Sequence, residues 1–146
     1  MHWFILRGFC GGKYKKIIFV NKIIKIWKSL IVKQGNIDEL TATLRKFEPY
    51  VDAFITDTFD PVSGASGATG IAHDWGISKK LVGVSKKPVV LAGGLNAENV
   101  FEAIVKVRPA GVDAHTGLED QHGRKDLEKC REFVAEAKRG FRLIHR

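Results

Sequence analysis

The sequence predicts an α/β protein built on a parallel sheet, in which about four strands are each followed by a helix. Short apolar runs alternate with segments whose apolar residues recur at helical spacing. The pattern repeats about every 25 to 35 residues, and Gly or Pro residues lie at the boundaries between its segments. Strands and helices that alternate in this way are typical of βα units, whose strands lie parallel in one sheet.

The four predicted strands are apolar and short, and they cover Ile26 to Val32, Val51 to Thr56, Lys87 to Ala92 and Gly111 to Ala114. The first predicted helix begins after Asn36, with Glu39 completing a capping-box pattern, and ends at Pro49. Asp74 is the predicted N-cap of a second helix that runs to about Val82. A third helix is predicted from Asn96 to Val107.

The last predicted helix, Asp126 to Arg139, is amphipathic. Its apolar residues recur at helical spacing and are expected to face inward: Leu127, Cys130, Phe133, Val134 and Ala137. Before the first strand, residues 3–9 suit a strand, and Lys15 to Ile24 suits either a short basic helix or a strand. The chain therefore divides into an atypical basic segment, residues 1–25, and a regular α/β region, residues 26–146.

The net charge of +8 lies almost entirely in the first third of the chain. Residues 1–49 hold ten Lys and Arg against Asp38, Glu39 and Glu48, which leaves +7. A nucleic-acid adaptor that uses residues 13–33 is one reading of this excess. Lysines that alternate with Ile and Val are more often the solvated face of ordinary elements, so nucleic acid is not the favoured partner.

The cysteines and the hydropathy exclude several classes of protein. Cys10 and Cys130 are far apart and form no metal-binding motif, so neither a disulfide framework nor a zinc site is expected. No apolar run approaches the ~18 residues that a membrane helix needs. A cytoplasmic protein without a metal or a cofactor is the resulting expectation.

Chemistry-bearing residues follow three of the predicted strands. Asp57 ends the second strand and precedes a loop rich in glycine, although a carboxylate there is also a common turn former. Gly93, Gly94 and Asn96 follow the third strand just before a helix. Phosphate binding needs N–H donors at close approach, which glycine and a helix N-terminus supply, although paired glycines also mark tight turns.

Three motifs carry a resemblance to a known family, and they occur in the same order and at the same spacing as in that family. They are Asp57-Thr58-Phe59-Asp60-Pro61 with its glycine loop, Leu91-Ala92-Gly93-Gly94-Leu95-Asn96, and Val112-Asp113-Ala114-His115-Thr116-Gly117-Leu118-Glu119. They resemble strands six, seven and eight of phosphoribosylanthranilate isomerase, a (β/α)8 barrel of tryptophan biosynthesis. The resemblance implies a partial barrel, from about strand four or five to strand eight, with the helices outside.

The family's reaction is an Amadori rearrangement of a phosphorylated sugar linked to anthranilate. The resemblance assigns the acid that opens the sugar ring to Asp57. Burial would have to raise the pKa of that carboxyl for it to hold a proton at neutral pH. The resemblance also implies a phosphate and substrate site, formed by Gly93, Gly94, Asn96, Asp113, His115, Thr116 and Gly117.

The departures from the family pattern lie mostly before residue 26. The family's base, a cysteine on its first strand, and an arginine from its second strand have no counterpart here, and Cys10 lies too close to the fifth strand to replace that base. His115-Thr116 stands where Ser-Ser is usual, and the glycine loop lacks a lysine. We expect an isomerase-like chain with little or no activity alone, acting as a homo-oligomer or with a complementing N-terminal half. A non-catalytic module that binds a phosphate ligand is the alternative.

Overall fold

A computed structural model describes residues 25–58 and 74–145, which form a four-stranded parallel sheet in the order β1-β2-β3-β4. Helices follow every strand. The elements are β1 (Trp27–Val32), α1 (Ile37–Phe47), a 3-10 turn (Glu48–Tyr50), β2 (Ala53–Thr58), α2 (Trp75–Val84), β3 (Val89–Leu91), α3 (Val100–Val107), β4 (Gly111–Val112), a second 3-10 turn (Thr116–Leu118) and α4 (Leu127–Ile144).

The predicted parallel sheet of four βα units is confirmed, whereas several boundaries differ. β2 begins and ends two residues later than expected, and β3 and β4 are shorter. The third helix begins at Val100 and not at Asn96, because the residues between them form a turn. The last helix continues to Ile144, five residues beyond the predicted end. Hydrophobic pattern identifies the elements, but their ends depend on hydrogen bonds that the pattern does not record.

Two hydrophobic clusters join the sheet to its helices. Phe54 on β2 is fully buried and packs with Leu40 and Leu44 of α1 and Leu81 of α2. Leu91 on β3 packs in the second cluster, which α3 and α4 complete. Because strand residues alternate between faces, the residues next to Phe54 and Leu91 point to the other side of the sheet. That side carries none of the described helices; it includes Ile31, Ile55 and Val90 and is called the inner face below.

Asp52 fixes the start of the β1–β2 pair. Its Oδ2 accepts the Ile26 N–H at 2.8 Å, and its Oδ1 lies 3.0 Å from the Lys25 Nζ. Its own backbone N–H donates to the Ile26 carbonyl at 2.7 Å. The backbone donor and the lysine hold the pKa of the Asp52 carboxyl below its ordinary value.

The predicted N-caps differ in outcome. Asp74 and Asp126 cap α2 and α4, since their carboxylates accept backbone N–H groups in the first turn of each helix. The capping box at Asn36 and Glu39 is wrong. The Asn36 side chain turns back to β1, where its Oδ1 accepts the Lys33 N–H and its Nδ2 donates to the Ile31 carbonyl, so it closes the βα turn and caps nothing.

The expected inward face of α4 is partly wrong. Phe133 and Ala137 are buried and Cys130 is half-buried, as the helical spacing predicted. Leu127 and Val134, however, are 73% and 48% exposed. Only one flank and the inner side of α4 contact the rest of the described chain.

Some expectations fall outside the described residues. These are the elements assigned to residues 1–24, Cys10, and the glycine loop at residues 59–73. Among the residues that the structure describes, none of the helices is long and apolar enough to cross a membrane. In the same part of the chain no three His, Cys, Asp or Glu side chains converge as metal ligands would.

We expect Asp52→Asn to lower the free energy of unfolding at neutral pH by up to about 1 kcal/mol, because it removes an exposed ion pair. The folded-state pKa of Asp52 lies below the ordinary 3.8. Its stabilisation is therefore fully present well above pH 3.8 and is lost as the pH falls through the lowered pKa. Urea unfolding of both proteins across this pH range measures the difference. Glu132→Gln, at an exposed position on α4, is the control. A deficit that persists unchanged in acid would contradict the assignment.

Candidate active site

The carboxyl ends of the four parallel strands meet at one edge of the sheet, and the predicted acid lies there. Asp57 is the fifth residue of the six-residue strand β2. It alternates with the buried Thr56 and Thr58, so its side chain points to the inner face, where it is half-buried. Its Oδ1 accepts the Thr58 N–H at 2.9 Å. A carboxyl group at this position can reach a ligand bound over the end of the sheet.

A buried threonine holds Asp57 in register with the neighbouring strand end. The Thr56 hydroxyl accepts the Ala92 N–H at 3.1 Å and donates to the Ala92 carbonyl at 3.2 Å. Thr56 precedes Asp57, and Ala92 precedes Gly93, so one hydroxyl links the candidate acid to the start of the glycine turn. The apolar pattern of β2 did not predict this role, although a threonine in an otherwise apolar strand was the available signal.

The turn after β3 has a backbone that favours glycine. Gly93 and Gly94 have φ angles of 99° and 66°, in the left-handed region that side chains rarely adopt. Asn96 and Asn99 hold this turn: the Asn96 Oδ1 accepts the Asn99 N–H at 3.1 Å, and the Asn99 Oδ1 accepts the Asn96 N–H at 2.9 Å. Asn99 also donates to the Gly94 carbonyl at 2.9 Å. Asn96, a predicted ligand residue, thus shapes the loop through its own contacts.

The loop after β4 contains the other predicted site residues. Asp113 continues the pairing with β3, since its N–H donates to the Leu91 carbonyl at 2.9 Å. Its neighbour Val112 packs under the helices, so the exposed Asp113 side chain is directed to the inner face. His115 and Thr116 are exposed where the 3-10 turn begins.

Gly117 brings the two loops into backbone contact. A Cβ at this position would overlap the Leu95 carbonyl oxygen and would lie 2.9 Å from the Asn96 Cβ. Only glycine therefore fits. The loop after β4 lies against the loop after β3 at Leu95 and Asn96, so the two predicted phosphate loops form one continuous surface.

Glu119 and two lysines fasten the second loop to α4. Glu119 Oε1 lies 2.9 Å from the Lys125 Nζ and 3.1 Å from the His115 Nδ1. Lys125 also donates to the His115 carbonyl at 2.8 Å, and Lys129 donates to the Glu119 carbonyl at 2.7 Å. These contacts join residues up to ten positions apart, so the sequence pattern gave no signal of them.

The arrangement provides a carboxyl group and a pair of glycine-containing loops at one end of a sheet. Glycine at positions 93, 94 and 117 leaves backbone without side chains beside these turns, which suits an anion that carries several oxygen acceptors. Asp57 lies near the end of the neighbouring strand β2. Cys130, the cysteine among the described residues, lies on α4 and not at a strand end.

We expect Thr56→Val to lower the free energy of unfolding by about 1–3 kcal/mol, because it leaves the buried Ala92 N–H and carbonyl without the hydroxyl. Thr56→Ser keeps the hydroxyl and is the control, so most of this loss should be absent from it. Urea unfolding measures both changes. Equal losses in the two variants would show that the methyl group, and not the hydroxyl, is the important part of Thr56.

Gly117→Ala should destabilise the fold by about 2 kcal/mol or more, since the new Cβ forces the two loops apart. Gly83 on α2 is the matched control, because a Cβ there meets no atom within 4 Å. Gly83→Ala is expected to be neutral or to stabilise the helix by up to about 1 kcal/mol. Stabilities are again compared in urea. A Gly117→Ala protein as stable as the parent would contradict the close approach.

The sequence and the structure of the chain are similar to those of one known protein family. The family model for N-(5'-phosphoribosyl)anthranilate isomerase matches residues 12–136. N-(5'-phosphoribosyl)anthranilate isomerase 2 of Methanosarcina mazei is 52% identical over 98 residues, which are 67% of this chain and 43% of that protein. Among solved structures, the Pyrococcus furiosus enzyme aligns with a TM-score of 0.60 and 33% identity, over 80% of this chain and 52% of that one.

A phosphoribosyl anthranilate isomerase in complex with reduced 1-(o-carboxyphenylamino)-1-deoxyribulose 5-phosphate is also similar, with a TM-score of 0.59 and 27% identity. The alignment covers 79% of this chain and 49% of that one. The chain spans about half the length of the curated relatives that it matches, from 43% to 53% for the Methanosarcina mazei and Acetivibrio thermocellus proteins. Because the family model matches well over half of the chain, the chain belongs to the N-(5'-phosphoribosyl)anthranilate isomerase family.

Proposed function

We propose that this chain supplies the acid and the phosphate-binding half of a phosphoribosylanthranilate isomerase site. The observation that carries the proposal is the backbone contact of Gly117 with Leu95 and Asn96. It joins the two phosphate loops of the family motif, which follow β3 and β4, and β3 is the neighbour of the strand that carries Asp57. A phosphorylated sugar bound on these loops would extend towards the inner face, where the Asp57 carboxyl lies.

Asp57 is proposed as the general acid that protonates the furanose oxygen when the sugar ring opens. Two observations support this role. The side chain lies on the inner face, at the end of β2 that barrel enzymes use for chemistry. The Thr56 hydroxyl ties this strand end to Ala92, which fixes the distance from the acid to the phosphate loop. A fixed distance matters, because a proton is transferred only at hydrogen-bond range.

Binding of the phosphate is proposed at Gly93, Gly94, Thr116 and Gly117, with Asn96 holding the loop in shape. Backbone N–H groups at these positions would contact the phosphate oxygens, which glycine permits at short range. Asp113 and His115 lie on the neighbouring strand end and are proposed to contact the rest of the substrate. The phosphate-bearing ligand of the similar complex is consistent with a site of this kind.

A complete reaction also needs a base to remove the C2 proton of the substrate. In the family that base is a cysteine on the first strand, and the strands described here match the fifth to the eighth. The proposed activity therefore requires groups from outside the described strands, and we propose a complementing N-terminal half or a homo-oligomer as their source. The cytoplasmic location stays a prediction.

The second candidate function is a module that binds a phosphate ligand without turnover. It is favoured by one observation, namely that both phosphate loops belong to the described half of the barrel. Binding then needs β3 and β4 alone, whereas turnover needs groups from elsewhere.

The deciding experiment mixes the purified chain with the part of the Methanosarcina mazei relative that precedes the matched segment. Turnover of phosphoribosylanthranilate is followed by the loss of its fluorescence. We expect little turnover by either polypeptide alone and clear turnover by the mixture. In the mixture, Asp57→Asn should lower the rate by at least about 100-fold, the usual contribution of a general acid.

Asp38→Asn, at an exposed position on α1, is the control for the loss of a carboxylate and should leave the rate unchanged. Binding of ribose 5-phosphate is measured in parallel. Retained binding with no turnover in the mixture would favour the module. Turnover that survives Asp57→Asn would remove this residue from the proposed role.

A further inference from the structure

The loop after β4 holds an imidazole against a carboxylate. The His115 Nδ1 lies 3.1 Å from the Glu119 Oε1. The Glu119 side chain is only 16% exposed, whereas the His115 side chain is 56% exposed. The carboxylate is therefore enclosed by the loop, and the imidazole has a solvent-facing side that a ligand can contact. The family pattern usually has a serine at this position, and a serine side chain does not change its charge near neutral pH.

Two lysines from the start of α4 contact the same pair. The Lys125 Nζ lies 2.9 Å from the Glu119 Oε1 and donates to the His115 carbonyl at 2.8 Å. Lys129 donates to the Glu119 carbonyl at 2.7 Å. The charge of Lys125 balances that of Glu119, so a proton gained by His115 adds a positive charge to the loop. An added positive charge strengthens the binding of an anion at short range.

The other charged groups around the pair are carboxylates. Asp113 follows β4, Asp126 caps α4, and Asp120 lies between them. The Arg124 N–H donates to the Asp120 Oδ1 at 3.0 Å, which holds the pKa of this carboxyl below 3.8. Carboxylates ordinarily titrate near about pH 4 and lysines near about pH 10, whereas histidine titrates near about pH 6.5. Among these groups, the imidazole is therefore the one expected to change its charge close to neutral pH.

We propose that His115 binds the phosphate of the substrate through a protonated imidazole, and that Glu119 is the positioning residue that holds this ring. The inference deepens the proposed function and rests on it, because it takes the phosphate to lie at Thr116 and Gly117. These two residues directly follow His115, so the backbone places the ring next to that site. A hydrogen bond from an imidazolium to a phosphate oxygen is stronger than one between neutral groups. Phosphate affinity should therefore fall as the pH rises and the proton is lost.

The test uses sulfate, a tetrahedral dianion whose charge does not change near neutral pH. Binding of sulfate to the purified full chain is measured by isothermal titration calorimetry from about pH 5.5 to about pH 8.5, the range in which histidine titrates. We expect the affinity to be at least about fivefold higher at the acid end. Binding that does not vary with pH would overturn this inference and leave the phosphate site standing. No binding at any pH would overturn both this inference and the proposed phosphate site.

His115→Ser is the diagnostic substitution, because it introduces the residue of the family pattern and removes the titrating group. His122→Ser, at an exposed position in the same loop, is the matched control. We expect the pH dependence of sulfate binding to disappear in His115→Ser and to stay in the control. Equal pH dependence in the two variants, or its loss from both, would contradict the assignment to His115.

The role of Glu119 is tested with Glu119→Gln, and Glu128→Gln at an exposed position on α4 is the control. Glutamine keeps the size of the side chain but lacks the charge that holds an imidazolium. We expect Glu119→Gln to weaken sulfate binding mainly at acid pH, so that the ratio of the affinities at the two ends of the range falls towards one. Weakening by the same factor at both ends is the result of a purely structural role, and it would overturn the positioning role.

NMR keeps the inference testable on the unaltered chain if a variant fails to fold. The His115 Cε1–H signal is assigned by triple-resonance experiments on the 16.2 kDa chain. Its titration is then followed with and without sulfate. A ligand that binds the protonated form more tightly stabilises that form, so sulfate should raise the midpoint of the titration. A midpoint that sulfate leaves unchanged would overturn the inference.

Discussion

Parallel hydrogen bonding between consecutive strands is the constraint on which the rest of this molecule depends. It places every carboxyl end at one edge of the sheet, so Asp57 and the two glycine-containing loops meet there without any long connection. It also places all the described helices on one side of the sheet, so none of them packs on the inner face. The same pairing therefore determines the position of the candidate site.

The site itself depends on a few polar and steric contacts, which fix two loops whose Leu95 and Leu118 side chains are buried in the core. The Thr56 hydroxyl sets the register between the acid and the first loop. The Glu119 carboxylate and Lys125 hold the second loop against the start of α4. A ligand would thus meet a surface whose shape is set before binding, which reduces the ordering cost of association.

Much of the architecture could be predicted from the sequence, because the spacing of apolar residues and the positions of Gly and Pro are local properties. Asp74 and Asp126 precede helices and cap them as expected. Asn36 does not, since its side chain closes the preceding turn, a choice that depends on where β1 ends. Leu127 and Val134 follow the helical period but are exposed, because helical spacing alone does not determine which residues a neighbouring element contacts. The links from Thr56 to Ala92 and from Lys125 to His115 required the tertiary fold.

The close approach at Gly117 also determines where this fold can be divided by recombination. A crossover between α3 and β4 would combine a loop after β3 from one parent with a loop after β4 from another. The incoming loop would then meet a Leu95 carbonyl whose position it was not selected to fit. A crossover before β1 keeps both loops together and leaves this contact intact. A crossover that keeps the third and fourth βα units together is therefore expected to destabilise the fold less than one that separates them.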